Sequence, residues 1–345
     1  MPTSVPLSLL DLARVKPTET AADGIARSVR LAQTADGLGY RRIWISEHHN
    51  MPGLASSATS LYIQHIAAHT TNVRVGSGGI MLPNHSPLVI AEQFGLLETL
   101  FPGRIDLGLG RAPGTDGATM QALRRDARAS EHFPSDIVEL DGYLRGDTRI
   151  PGVHAYPHRS SGVPLYVLGS SLYGAQLAAH LGLPYAFASH FAPDDLEVAA
   201  RTYRDRFDPA GPLAGPDAAP HFIAAANVIA ADDPDTATEQ YRRTELEWLR
   251  SILGRGRELT DEQLAVLRDH PQGRQVLGML RRTLVGTGPD VVAGLDALAA
   301  EVQADELIVV NVATEEAHQQ RTLELLAPGG EHSDHSEPAL AAAAG

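Results

Sequence analysis

Residues 73–114 constrain the fold more than any other stretch of the chain. They read VRVGSGGIMLPNHSPLVIAEQFGLLETLFPGRIDLGLGRAPG. An apolar β-type run at 73–75 passes into a glycine-rich turn, Gly76, Ser77, Gly78 and Gly79. Next come an apolar run at 80–83, a polar elbow at 84–87 and a helical pattern to residue 100. A second strand at 105–109 opens into Gly110 and Arg111. Short strands alternating with helices argue for βαβ units and a parallel sheet. Glycines at strand ends let a flat ligand lie against bare backbone. An arginine just beyond such an end is well placed for a phosphate.

The alternation extends along the whole chain. Strands are expected near residues 6, 42, 73, 105, 164, 185, 222 and 306, each followed by a helix, including one at 116–128. Eight βα units in 345 residues predict a (β/α)8 TIM barrel. The alternative is a doubly wound open sheet, against which no GxGxxG opens the first helix. In a barrel the C-terminal strand ends carry the site. Here they hold Glu47, His48 and His49, the glycines at 76–79, Gly110 with Arg111, Gly169 to Ser171, and Ser189 with His190. Trp44 reads as strand core. The barrel domain is expected over residues 1–327, with a charged, partly helical insertion at about 254–282. Residues 328–345 read as a disordered tail, where His332, Asp334 and His335 could hold a metal or simply be solvated. No metal centre is expected in the barrel.

Composition narrows the function. The formal net charge is −14, from 42 acidic and 28 basic residues, which disfavours nucleic acid or an anionic membrane as main partner. There is no cysteine, so disulfides and thiolate chemistry are excluded. No segment offers the roughly twenty apolar residues of a membrane span, and the N-terminus lacks a signal-peptide pattern. A cytoplasmic location is the expectation.

At these motifs the chain resembles the bacterial luciferase-like flavin monooxygenases. The Glu47-His48-His49 strand end, GSGGIMLPNHSP, the run 103–111, VPLYVLGSS and LGLPYAFAS occur in the family's order over residues 6–327. The GRAPGTD and LGLPYAFASHF segments point to the single-chain branch. The resemblance implies a TIM barrel and reduced FMN as cofactor, or in some branches a deazaflavin. It places a non-proline cis peptide at Gly78-Gly79 beneath the flavin ring and the catalytic histidine at His48. It puts the phosphate on Arg111 and on the turn Gly169, Ser170, Ser171, with Tyr173 and Gly174 opening the next helix. Arg124 or Arg125 is either a second charge there or helix surface. His49, His85, His190 and Phe191 would line the substrate side. The reactive cysteine of the light-emitting members is Gly110 here, which puts luminescence in doubt.

The implied reaction is oxygenation of a small organic substrate by O2 through a C4a-peroxyflavin, with His48 managing a proton. Reduced FMN would come from a flavin reductase partner or from NAD(P)H. A deazaflavin oxidoreductase without oxygen chemistry and a non-catalytic flavin-binding barrel are the other readings. A homodimer is expected through the helices near 56–71 and 87–100.

Overall fold

The computed structural model describes residues 2–112, 115–254 and 259–328. The strands are β1 (Leu7–Asp11), β2 (Arg42–Ile45), β3 (Arg74–Met81), β4 (Ile105–Gly110), β5 (Leu165–Gly169), β6 (Tyr185–Phe187), β7 (Phe222–Ala231), β8 (Leu284–Thr287) and β9 (Glu306–Asn311). Neighbours pair in the order β6-β5-β4-β3-β2-β1-β9-β7, and β6 also pairs with β7, so the eight strands close. All these pairings are parallel. Helices ring this closed barrel, the architecture that the strand–helix alternation predicts.

Three local expectations are corrected. The glycines at 76–79 do not form a turn; they continue β3, and its register with β4 shifts between Ser77 and Ile80. The helix expected at 116–128 is broken into Gly117–Ala122 and a 3-10 turn, Ala127–Glu131. Between them Arg124 takes a positive φ of 57°, which an α-helix does not tolerate. A ninth strand, β8, pairs with the end of β7 beyond the closed barrel, from Val228↔Leu284 to Ala231↔Thr287. The segment between β7 and the helix Gly288–Val302 holds that strand and the helices Pro234–Leu253, Asp261–Asp269 and Pro271–Leu277. The tail residues His332, Asp334 and His335 lie outside the described residues.

Side chains alternate along each strand between two cores, as the two-residue strand period requires. One set, including Leu9, Ile43, Val75, Leu107 and Val309, packs against the surrounding helices. The other, including Leu10, Trp44, Tyr166, Ile223, Ile308 and Val310, fills the barrel. Below this lumen layer, at the N-terminal strand ends, lies a buried ionic network. Arg42 Nε and Nη2 donate to the two Glu306 oxygens at 2.8 and 3.1 Å, and Nη1 donates to Asp106 Oδ2 at 2.7 Å. Arg74 donates to the other Asp106 oxygen at 2.6 Å, and Trp44 Nε1 to Oδ2 at 3.1 Å. Two carboxylates are thus met by guanidinium forks, the geometry that makes burial of charge tolerable.

Among the described residues, no helix is long and apolar enough to cross a membrane.

Candidate active site

The C-terminal strand ends form the mouth of the barrel, opposite the Arg42 network. The Gly78-Gly79 peptide, in β3, is cis. Neither glycine has room for a side chain. A Cβ on Gly78 would lie 2.7 Å from Leu10 Cδ1 and 3.0 Å from Trp44 Cβ, and one on Gly79 would lie 2.8 Å from the Gly108 carbonyl oxygen. Backbone alone therefore forms this part of the mouth, between the lumen core and β4.

Beside it, β2 runs out into Glu47, His48 and His49. Glu47 is buried (1% exposed), and one of its oxygens, Oε1, lies 2.8 Å from His49 Nε2 and 2.7 Å from His85 Nε2. The other oxygen accepts the Met81 N–H at 3.3 Å. Burial acts to raise the pKa of Glu47, but the hydrogen bonds from the two histidines outweigh it and hold the carboxyl below its ordinary range. An ionised carboxylate only accepts, so both Nε2 atoms carry protons. The Glu47 hydrogen bond raises the pKa of His49 against the effect of burial. The ligand atoms of Glu47, His49 and His85 lie within 4.8 Å of one another, a set that could also hold a cation. The contact lengths are those of hydrogen bonds.

His48 differs from both. Burial lowers its pKa, Glu47 raises it and His49 lowers it again, and burial prevails. His48 is therefore a neutral imidazole near pH 7, and its buried Nδ1 has no partner among the described residues. His190, after β6, is neutral for the same reason: burial, then the nearby Arg14 and His48, bring its pKa down to about 3. Its Nδ1 is also buried without a partner, while Asn227 Nδ2 donates to its carbonyl and Phe191 packs edge-on at 4.8 Å.

Across β3 from this cluster the mouth carries a cation. Arg111 follows β4 and is exposed; its guanidinium carbon sits 4.2 Å from the centre of the Tyr173 ring. Tyr173 lies in the first turn of the helix Leu172–Leu181, whose N-cap residue, Ser171, makes no side-chain capping bond. The first amides of that helix are left for an external acceptor, as they are at anion-binding helix ends. Tyr185 Oη supports the turn by donating to the Ser171 carbonyl at 3.1 Å, and it lies so close to Gly169 and Gly174 that a Cβ on either would come within 3.0–3.2 Å of it. Ser170 belongs to the same turn. Arg125 instead donates to the Asn84 carbonyl at 3.4 Å, beyond β3.

Sequence reasoning named His48, the glycines and Arg111 but missed two participants. In the sequence Glu47 reads only as part of a strand end, although His49 and the distant His85 both hydrogen-bond to it. Arg14, after β1, belongs to no motif of the sequence. Its guanidinium lies 5.7 Å from the centre of the Trp248 ring.

A family model described as luciferase-like monooxygenase matches residues 5–306 of the chain. A luciferase-like monooxygenase of Escherichia coli (strain K12) is 45% identical over 311 residues, which cover 89% of this chain and 91% of that protein. The crystal structure of apo-MsnO8 is similar with a TM-score of 0.83 at 35% identity, over 94% of this chain and 96% of that one. The oxygenating constituent of 3,6-diketocamphane monooxygenase from a Pseudomonas putida plasmid, solved with FMN, is similar in fold: its TM-score is 0.70 at 17% identity, over 94% of this chain and 97% of that one.

Proposed function

This chain belongs to the luciferase-like monooxygenase family, and we propose that it uses reduced FMN and O2 to oxidise a small organic substrate in the barrel mouth. The observation that carries the FMN reading is the pairing of Arg111 and Tyr173 with the uncapped helix end at Ser171. A guanidinium and free helix amides together suit a phosphate dianion. In this reading Arg111, Gly169, Ser170, Ser171, Tyr173 and Gly174 hold the phosphate. The ring rests on Gly78 and Gly79, where side chains are excluded.

Bound reduced flavin supplies the electrons that activate oxygen. The chain supplies the rest. His48 is neutral and its Nδ1 is bare, so it can take a proton near the reacting atoms and return it. Glu47 fixes the rings of His49 and His85, and the apolar lumen below, with Leu10, Trp44 and Val310, keeps water from the floor of the site.

The test is an anaerobic titration of the protein with reduced FMN and, separately, with a reduced deazaflavin cofactor, followed by admission of oxygen. Saturable binding of reduced FMN and reoxidation kinetics distinct from those of the free flavin support the reading. Binding of the deazaflavin alone would replace it with oxygen-independent redox chemistry.

We also propose that the protein is a homodimer. Leu61 is 71% exposed on the helix Thr59–Ala68, and Val89, Leu96 and Leu100 are 44–52% exposed on Pro87–Leu100, so apolar side chains face outward on two neighbouring helices. Light scattering should give the dimer mass, and Leu61→Glu with Leu96→Glu should give the monomer. A wild-type monomer at micromolar concentration would refute the assembly.

A further inference from the structure

We propose that Arg14 and Trp248 form a carboxylate-binding subsite on the substrate side of the mouth, so that the molecule oxidised is a small organic acid with an apolar body. The substrate role rests on the flavin reading above; the binding site does not.

Arg14 is held firmly by its backbone. After β1, Ala13 turns the chain with a positive φ of 52°. Arg14 then forms an antiparallel bridge with Leu54, flanked by Ala55 N–H to the Ala13 carbonyl at 2.9 Å and Val15 N–H to the Gly53 carbonyl at 2.8 Å. The Arg14 carbonyl also accepts from Arg27 Nη2 at 2.6 Å. The loop that carries Arg14 is thus fixed, and its guanidinium sits near the Trp248 ring.

Two acids lie near Arg14, yet neither takes up its hydrogen-bond donors. Burial lowers the Arg14 pKa, while Glu247 and Asp11 raise it and Arg27 lowers it. Neither acid forms an ion pair with it: among the described residues, the Arg14 guanidinium makes no hydrogen bond or salt bridge. One Asp11 oxygen is already committed to the Ala13 N–H at 2.8 Å. The aromatic partner, Trp248, has its indole Nε1–H buried without an acceptor. The Trp248 indole N–H therefore lacks an acceptor beside a half-buried guanidinium that makes no ion pair. A carboxylate supplies two acceptor oxygens and one negative charge.

The neighbouring charges select for a monoanion. Asp11 and Glu247 repel any anion at Arg14, and they penalise a phosphate or sulfate dianion about twice as much as a carboxylate, since the repulsion scales with ligand charge. The place also separates this subsite from the Arg111 turn. Arg14 follows β1 and Arg111 follows β4, two strands intervening in the barrel, and Arg14 acts directly on His190, as His48 does. An acid seated on Arg14 would rest its body beside Trp248, His190 and Phe191, within reach of the His48 side of the mouth.

The probes are butanoate, hexanoate and decanoate, each paired with its neutral amide, with Trp248 fluorescence as readout. The chain has only one other tryptophan, Trp44, in the lumen. We expect at least one acid to bind wild type about tenfold or more tighter than its amide, since a charge-assisted pair is worth that much or more. Arg14→Met should abolish that preference and leave amide and FMN affinity unchanged, and Arg14→Lys should keep part of it. Glu247→Gln should tighten acid binding. Absence of binding by all three acids, equal binding of acid and amide, or an intact preference in Arg14→Met overturns the subsite. Loss of FMN affinity in Arg14→Met also overturns it, because Arg14 would then serve the flavin. If FMN does not bind wild type but acids still bind through Arg14, the flavin reading fails and the subsite stands.

Discussion

His85 Nε2 lies 2.7 Å from the Glu47 carboxylate, although 38 residues separate the two in the chain. The same oxygen also takes His49 Nε2 at 2.8 Å, so one buried acid sets the orientation and tautomer of two rings at the barrel mouth. Replacing Glu47 with Gln puts an amide where both neighbours are donors. We expect Glu47→Gln to lose about 1–3 kcal/mol near pH 7, the cost of leaving buried donors unmet. The pH dependence has a definite sign. The folded pKa of Glu47 lies below its unfolded value, so its contribution is full above the unfolded pKa and is lost as pH falls through the folded one. The wild-type advantage in melting temperature should therefore shrink in acid; an advantage constant from neutral pH down to pH 3 would refute this.

Arg42 stands between Glu306 and Asp106 with no exposure to solvent. Arg42→Met keeps most of the side chain's length and removes its charge, so buried Glu306 loses its bidentate partner and Asp106 is left with Arg74 and Trp44. Breaking a buried pair in this way costs about 3–5 kcal/mol. Urea unfolding should register that loss, and a change below about 1 kcal/mol would mean that Arg74 suffices for Asp106 and that Ser8, His221 and Arg41 suffice for Glu306.

His190 should dominate the acid sensitivity of the mouth. Its pKa falls from 6.5 to about 3 on burial beside Arg14 and His48, so between those values the unfolded chain binds the proton and the folded protein does not. Stability must then decline as pH drops from about 6.5 towards 3. His190→Leu should flatten the melting-temperature profile over this range. A variant profile parallel to wild type would show that other groups govern it.

His48→Ala should separate binding from chemistry. We expect FMN affinity close to wild type and turnover on the true substrate lower by about 10²–10⁴, the usual contribution of a positioned acid or base. Peroxide should be released in place of product. Wild-type coupled turnover in the variant would make His48 a structural residue.

The barrel was legible because its local signals agree with its global shape. Most of the eight closing strands contain a short apolar run, and polar or glycine residues follow several of them at the mouth. What stayed hidden depends on closure. Arg42, Asp106 and Glu306 begin or follow the starts of three strands distant in sequence, and only the closed lumen brings them together. β8 is four half-buried residues beside a charged segment, too short for a period to show. Gly76 to Gly79 read as a turn because glycine is a turn former; packing against β4 makes them strand instead. Arg14 carries no local signal at all. Its meaning comes from Trp248, more than two hundred residues away.

The central claim is that the mouth binds FMN with its phosphate on the Arg111 side. It is tested most directly by the affinities of FMN and riboflavin for wild type and Arg111→Ala, read from flavin fluorescence. Loss of a charge-assisted contact is worth about 1.5–3 kcal/mol, so FMN binding should weaken roughly ten- to a hundredfold in the variant. Riboflavin has no phosphate, and its affinity should be the same in both proteins. Equal weakening of FMN and riboflavin, or no weakening of either, would contradict the account.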